Sequence, residues 1–172
     1  MGQNNKWSSA ALNGLLLSII TIVYSLLVSV LEPKGFISIL LWIVKFTGCI
    51  ALLYYFMKQY STSFNSITYG QSFSYGFILC AFSAIICSCF AFLSLTFIFP
   101  NQIDLVTEQI QQAMSAQNMD SDQEAKFEDW MKRLPELTMF FSLIYYIIFG
   151  AIASSIIANY TKKVDPFAEK QE

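Results

Sequence analysis

Four apolar runs dominate this chain, each long enough to cross a bilayer as a helix, and they leave few folds open to it. A hydrocarbon core of about 30 Å needs roughly 20 apolar helical residues. The runs that qualify cover about 9–31, 36–58, 73–99 and 137–160. Pro33 and Gly35 separate the first two, and Pro100 stops the third. Inside lipid only helices and closed barrels satisfy their own backbone groups. Barrel strands would alternate polar and apolar residues, and these runs do not. Only 13% of the 172 residues are charged, against about 25% in an ordinary soluble domain. The expected fold is all-α: one integral membrane domain over 1–172, with four transmembrane helices and an amphipathic helical hairpin between the third and fourth.

Much chemistry is excluded by what is missing. The chain has no histidine, so the usual imidazole base and metal ligand are absent. No acidic pair lies inside a span, and no glycine-rich phosphate loop occurs. Cys49, Cys80, Cys87 and Cys89 all sit in apolar runs, where cysteine behaves as a small hydrophobe. These features predict no enzyme, no cofactor and no metal site. A net charge of −2 without a basic cluster predicts no nucleic-acid partner. Lys6 stands where a myristoylation motif wants serine or threonine. The first apolar run exceeds a signal-peptide core and reads as a retained helix.

Residues 101–136 differ from the rest, with eight acidic and three basic side chains. Ile103, Val106 and Ile110 recur on one helical face, and Phe127, Trp130 and Leu134 form a second stripe. Ser121 and Glu124 have capping-box spacing between them. The expected hairpin spans 101–134 with these six side chains inward. It is either a solvated cap over the bundle end or a surface that docks a membrane or extracytoplasmic protein.

Small residues recur every four positions in three runs: Ala10, Gly14 and Ser18; Gly76, Cys80 and Ala84; Gly150, Ser154 and Ala158. Lipid gives helices no hydrophobic reason to associate, so close approach over small side chains matters. Gly14, Gly76, Gly150 and Ser154 are therefore expected at helix–helix contacts. The stripes would serve packing within one chain, or the seam of a homo-oligomer.

One charge interrupts the second run. Lys45 lies nine residues beyond Phe36, or about 13 Å along a helix. A lysine at mid-span costs about 2.5–3.5 kcal/mol on insertion scales. Either its aliphatic stem snorkels toward the interface, or it faces the bundle interior. In the second case Tyr24, Ser25, Ser88 and Tyr145 or Tyr146 supply polar groups at similar depth, and Glu136, at the outer start of the fourth helix, is the nearest acid. The ammonium would then bond a tyrosine hydroxyl or Glu136 and border a polar pocket.

The succession "ITYGQSF", "FIFPNQIDLVTEQIQQAM", "FEDWMKRLP" and "IIFGAIASSIIANYTKKVDPF" resembles a bacterial family of four-span membrane proteins, domain of unknown function 4199. The likeness covers nearly the whole chain. It is carried by the order of these segments, including the turn from Tyr69 to Phe73 and the small-residue run around Gly150. It implies a fold and a membrane, with no activity, ligand or residue role to carry over. An even number of spans puts both termini on one side. Lys6, Lys58, Lys162, Lys163 and Lys170 would share that side, and the basic pair at 162–163 assigns it to the cytoplasm. The expected location is the bacterial cytoplasmic membrane, with the lipid bilayer as the first partner. The expected role is a non-catalytic membrane subunit or regulator bound to a protein partner. A small homo-oligomeric channel or transporter around Lys45 is the alternative.

Overall fold

The computed structural model describes residues 3–31, 35–104, 108, 112, 130 and 133–163, with side chains from Lys6 onward. The four apolar runs are four helices: α1 (Gln3–Leu31), α2 (Phe36–Thr62), α3 (Tyr69–Leu93) and α4 (Leu134–Thr161). A π-helical turn, Ser94–Ile98, continues α3. All four are long and apolar enough to cross a membrane.

Each boundary has a local cause. Gly35 begins α2 at φ +63°, a left-handed backbone angle that side chains beyond glycine resist. α3 opens with a capping box: Gln71 Oε1 accepts from the Thr68 amide at 3.1 Å, and the Gln71 amide donates back to Thr68 Oγ1 at 3.4 Å. Beyond the π turn the Phe99 amide donates to the Ser94 carbonyl at 2.7 Å. Pro100 then has no amide with which to continue the ladder. α4 begins earlier than its apolar run suggested. Pro135 sits in its first turn, where a missing amide costs nothing.

The chain divides into two compact units, 1–87 with 144–172, and 88–143. The first holds the core. Its interior is small and often polar: Ser18, Ser61, Ser72, Ser154 and Thr161 are buried beside Ala10, Met57, Leu79 and Ala158. Its outward faces carry Leu12, Ile19, Val23, Trp42 and Ile156, all largely exposed. That inverts the water-soluble pattern and suits surroundings of hydrocarbon.

Glycines make the close packing possible. A β-carbon on Gly14 would stand 2.7 Å from the Leu79 carbonyl oxygen, so α1 lies backbone-to-backbone on α3 there. One on Gly150 would stand 2.5 Å from Cys80 Cβ, and one on Gly76 would meet Met57 Sδ at 2.6 Å and Ser154 Oγ at 2.9 Å. Ser154 is fully buried, with its hydroxyl 3.7 Å from Cys80 Sγ.

Polar side chains fasten the end of this unit where α1 begins and α4 ends. Asn13 Nδ2 donates to Tyr75 Oη at 2.7 Å, and Ser9 Oγ lies 3.1 Å from the same oxygen. Tyr75 stacks on Tyr60 with ring centroids 3.9 Å apart. Thr161 joins three helices: Ser61 Oγ donates to its carbonyl at 2.5 Å, and Ser72 Oγ is 2.6 Å from its hydroxyl. Ile67 and Lys163 exchange two backbone hydrogen bonds, of 3.1 and 2.9 Å.

In the second unit, Thr96 Oγ1 is buried with no hydrogen-bond partner among the described residues. Val106, Ile110 and Phe127, expected on the inner face of a hairpin, lie outside the described residues, as do Ser121 and Glu124. Ile103 is half-buried. Trp130 is 65% exposed rather than inward-facing. Leu134 is the first residue of α4 rather than the end of a hairpin helix. The helix-starting propensity of Pro135 takes Leu134 into the following span.

Candidate functional site

Lys45 occupies a face of α2 that its spacing defines. Trp42, Lys45, Phe46, Cys49, Ile50 and Leu53 fall at intervals of three and four, so they share one side of the helix. Leu53, at the inner end of that face, is buried. Cys49 and Ile50 pack half-buried against the core, Trp42 and Phe46 are exposed, and Lys45 between them is half-buried.

That face borders a cavity of about 70 Å³ within the first unit. α3 contributes Cys80, Ser83 and Cys87 at the same helical spacing; α1 contributes Leu17 and Thr21; α4 contributes Tyr145, Tyr146, Phe149 and Gly150. Among the described residues lining it, Lys45 alone carries a charge. The Lys45 ammonium lies 4.8 Å from the centre of the Tyr24 ring and 5.8 Å from that of Tyr146. It meets both over the ring rather than at the hydroxyl. The expected bond to a tyrosine hydroxyl or to Glu136 is replaced, among the described residues, by these two ring contacts. Glu136 stands in the first turn of α4, in the second unit.

Magnitudes show what the rings achieve. A desolvated cation over an aromatic face gains about 2 kcal/mol, and less near the 6 Å limit that the Tyr146 contact approaches. Inserting the lysine costs about 2.5–3.5 kcal/mol. The two rings offset a large part of that cost and supply no counter-charge.

The mouth of the cavity is aromatic. Trp42 stacks on Phe46 with centroids 5.4 Å apart, and Phe46 meets Phe149 at 5.5 Å. Phe149 stacks on Tyr145 at 6.3 Å, and Tyr145 meets Tyr146 edge-on at 5.4 Å. Trp42 and Tyr145 are 50% and 58% exposed, so this collar faces outward. Sequence reasoning singled out Lys45, Tyr145 and Tyr146, and all three border the cavity. It missed Trp42, Phe46 and Phe149. The spacing of Trp42 to Phe46 and of Tyr145 to Phe149, four residues each, was the available signal.

The three cysteines at the cavity, Cys49, Cys80 and Cys87, are free thiols. Thr21 Oγ1 lies 3.8 Å from Cys49 Sγ. Among the described residues no cluster of three or more metal-ligating side chains forms. The site presents one cation, several neutral hydroxyls and thiols, and a ring-lined opening. Such a set can hold a ligand and orient it.

A second, larger hollow of about 490 Å³ lies near the start of α1, between Lys6, Asn13, Gln59, Tyr60, Ser63 and Tyr75. Its lysine already donates to Ser74 Oγ at 2.9 Å.

Among the described residues, four helices are long and apolar enough to cross a membrane, and the first unit holds an aromatic-collared lysine. Residues 10–163 match the family described as "Protein of unknown function (DUF4199)", and the chain belongs to that family. No curated protein and no solved structure matches it.

Proposed function

We propose that this is a small non-catalytic multi-pass membrane protein, a subunit or regulator in the bacterial cytoplasmic membrane, with the Lys45 cavity as its working site. The observation that supports this most is the lysine placed on the core-facing side of α2 and held over Tyr24 and Tyr146. A lysine present only for its stem could snorkel outward at little cost; this one is turned into a cavity. Intramembrane ionisable residues are costly and usually functional. The rest of the lining is neutral, which favours binding over catalysis. Both termini are cytoplasmic in this reading, and the acidic segment 101–134 faces a protein partner on the outer side.

Affinity capture in mild detergent, followed by stoichiometry and liposome flux, tests it. The expected result is a stoichiometric membrane partner that the wild-type chain retains and Lys45→Met loses, with insertion unchanged. A lone symmetric oligomer that supports flux would overturn it in favour of a channel or transporter.

A further inference from the structure

We infer that the Lys45 cavity binds the headgroup of a single-chain lipid acid, a long-chain carboxylate, that enters sideways from the bilayer. The inference rests on the reading of that cavity as the working site and names its ligand class.

Charge comes first. The lining contains a cation and, among the described residues, no acidic side chain. Ring faces attract the ammonium without neutralising it. An anion completes the site, and a carboxylate accepts short charge-assisted hydrogen bonds from a lysine.

Size and access select the anion. A water-sized group takes about 10–15 Å³ of such space. A cavity of about 70 Å³ therefore holds a carboxylate and its first few methylenes. A phosphodiester with its glycerol would overfill it. The opening is flanked by Trp42 and Tyr145, each at least half exposed on outward helix faces that otherwise carry Ile39, Ile43, Ile148 and Ile152. That surface is mostly apolar, with the Thr47 hydroxyl exposed on it, so a ligand reaching the collar comes from hydrocarbon and can leave its chain there. The stacked rings of Trp42, Phe46 and Phe149 give the proximal methylenes a flat apolar wall. Thr21 and Ser83 hydroxyls on the lining offer donors to a second carboxylate oxygen.

Photolabelling of the full chain in vesicles, with a long-chain fatty acid carrying a diazirine, tests the assignment. The wild type should be labelled at peptides containing Trp42 or Tyr145. Excess unlabelled fatty acid should compete, and the matching fatty alcohol should compete at least about tenfold less well. Lys45→Arg should keep the labelling and Lys45→Met should lose it. Should Lys45→Met fail to insert, the acid-against-alcohol competition on wild type decides alone. Equal competition by the alcohol would overturn the proposal. Stronger competition by a single-chain lipid phosphate would overturn the carboxylate assignment. Native mass spectrometry of the same preparation separates the two levels of inference. A different bound mass lost with Lys45→Met leaves the working site standing and removes the carboxylate; no Lys45-dependent mass and no charge-dependent labelling removes both.

Discussion

Gly150 in α4 lies so close to Cys80 in α3 that a β-carbon on the glycine would stand 2.5 Å from the cysteine's own. The obstruction is at the root of a side chain, so only movement of a helix relieves it. Gly150→Ala should destabilise by about 1–3 kcal/mol, the usual cost of overpacking, and Gly150→Leu by more. Gly14→Ala should behave alike, because it meets the Leu79 carbonyl at 2.7 Å. Gly76→Ala should cost less, since Met57 Sδ belongs to a flexible side chain. Gly48 has only Ile20 Cδ1 at 4.0 Å, so Gly48→Ala should be neutral or stabilising. Thermal unfolding in detergent reads the whole series.

Lys45 rests over rings, which makes the tyrosine hydroxyls dispensable to it. Tyr24→Phe should leave stability unchanged, whereas Tyr24→Leu should lower it by about 0.5–2 kcal/mol. In a Lys45→Met background Tyr24→Leu should lose most of that cost. A double-mutant cycle measured by thermal unfolding gives the coupling directly.

Tyr75 is 1% exposed and takes a hydrogen bond from Asn13 across 62 residues of sequence. Tyr75→Phe keeps the ring, and with it the stacking on Tyr60, but leaves the Asn13 amide without its acceptor. The expected loss is about 1–3 kcal/mol. Asn13→Ala combined with Tyr75→Phe should recover part of it, because the orphaned donor is then gone. Denaturant or thermal unfolding of wild type, the two single variants and the double variant measures this.

The capping box at α3 predicts a loss of about 0.5–2 kcal/mol for Thr68→Val. Gln71→Ala should weaken the same turn. Hydrogen exchange should show faster opening at residues 69–73, with α3 beyond Gly76 unaffected.

Orientation can be read from two exposed positions in a variant whose native cysteines are replaced. A membrane-impermeant thiol reagent should label Asn101→Cys from the outer side and Lys163→Cys from the cytoplasmic side. The reverse pattern would place the termini outside.

The length and apolarity of four segments were enough to define four helices. Each such segment must satisfy its own backbone wherever water is excluded, and that requirement is local. Four-residue spacing also showed which faces of α1, α3 and α4 are packed, since residues four apart lie on one side of a helix. Lys45, Tyr145 and Tyr146 stood out because a mid-span charge and its polar neighbours are rare in such runs. Trp42, Phe46 and Phe149 did not, because aromatic side chains are common there. Leu134 belongs to a different helix from the one its spacing suggests, since an apolar residue beside Pro135 fits the end of one helix and the start of the next. Only the tertiary structure decided that Lys45 meets ring faces instead of hydroxyls or Glu136. Tertiary packing likewise brought Thr161 to Ser61 and Ser72, 100 and 89 residues away. Those pairings depend on how each helix is rotated and shifted against its neighbours. Rotation and shift come from the sum of many small contacts between distant segments, and no spacing within one segment encodes that sum.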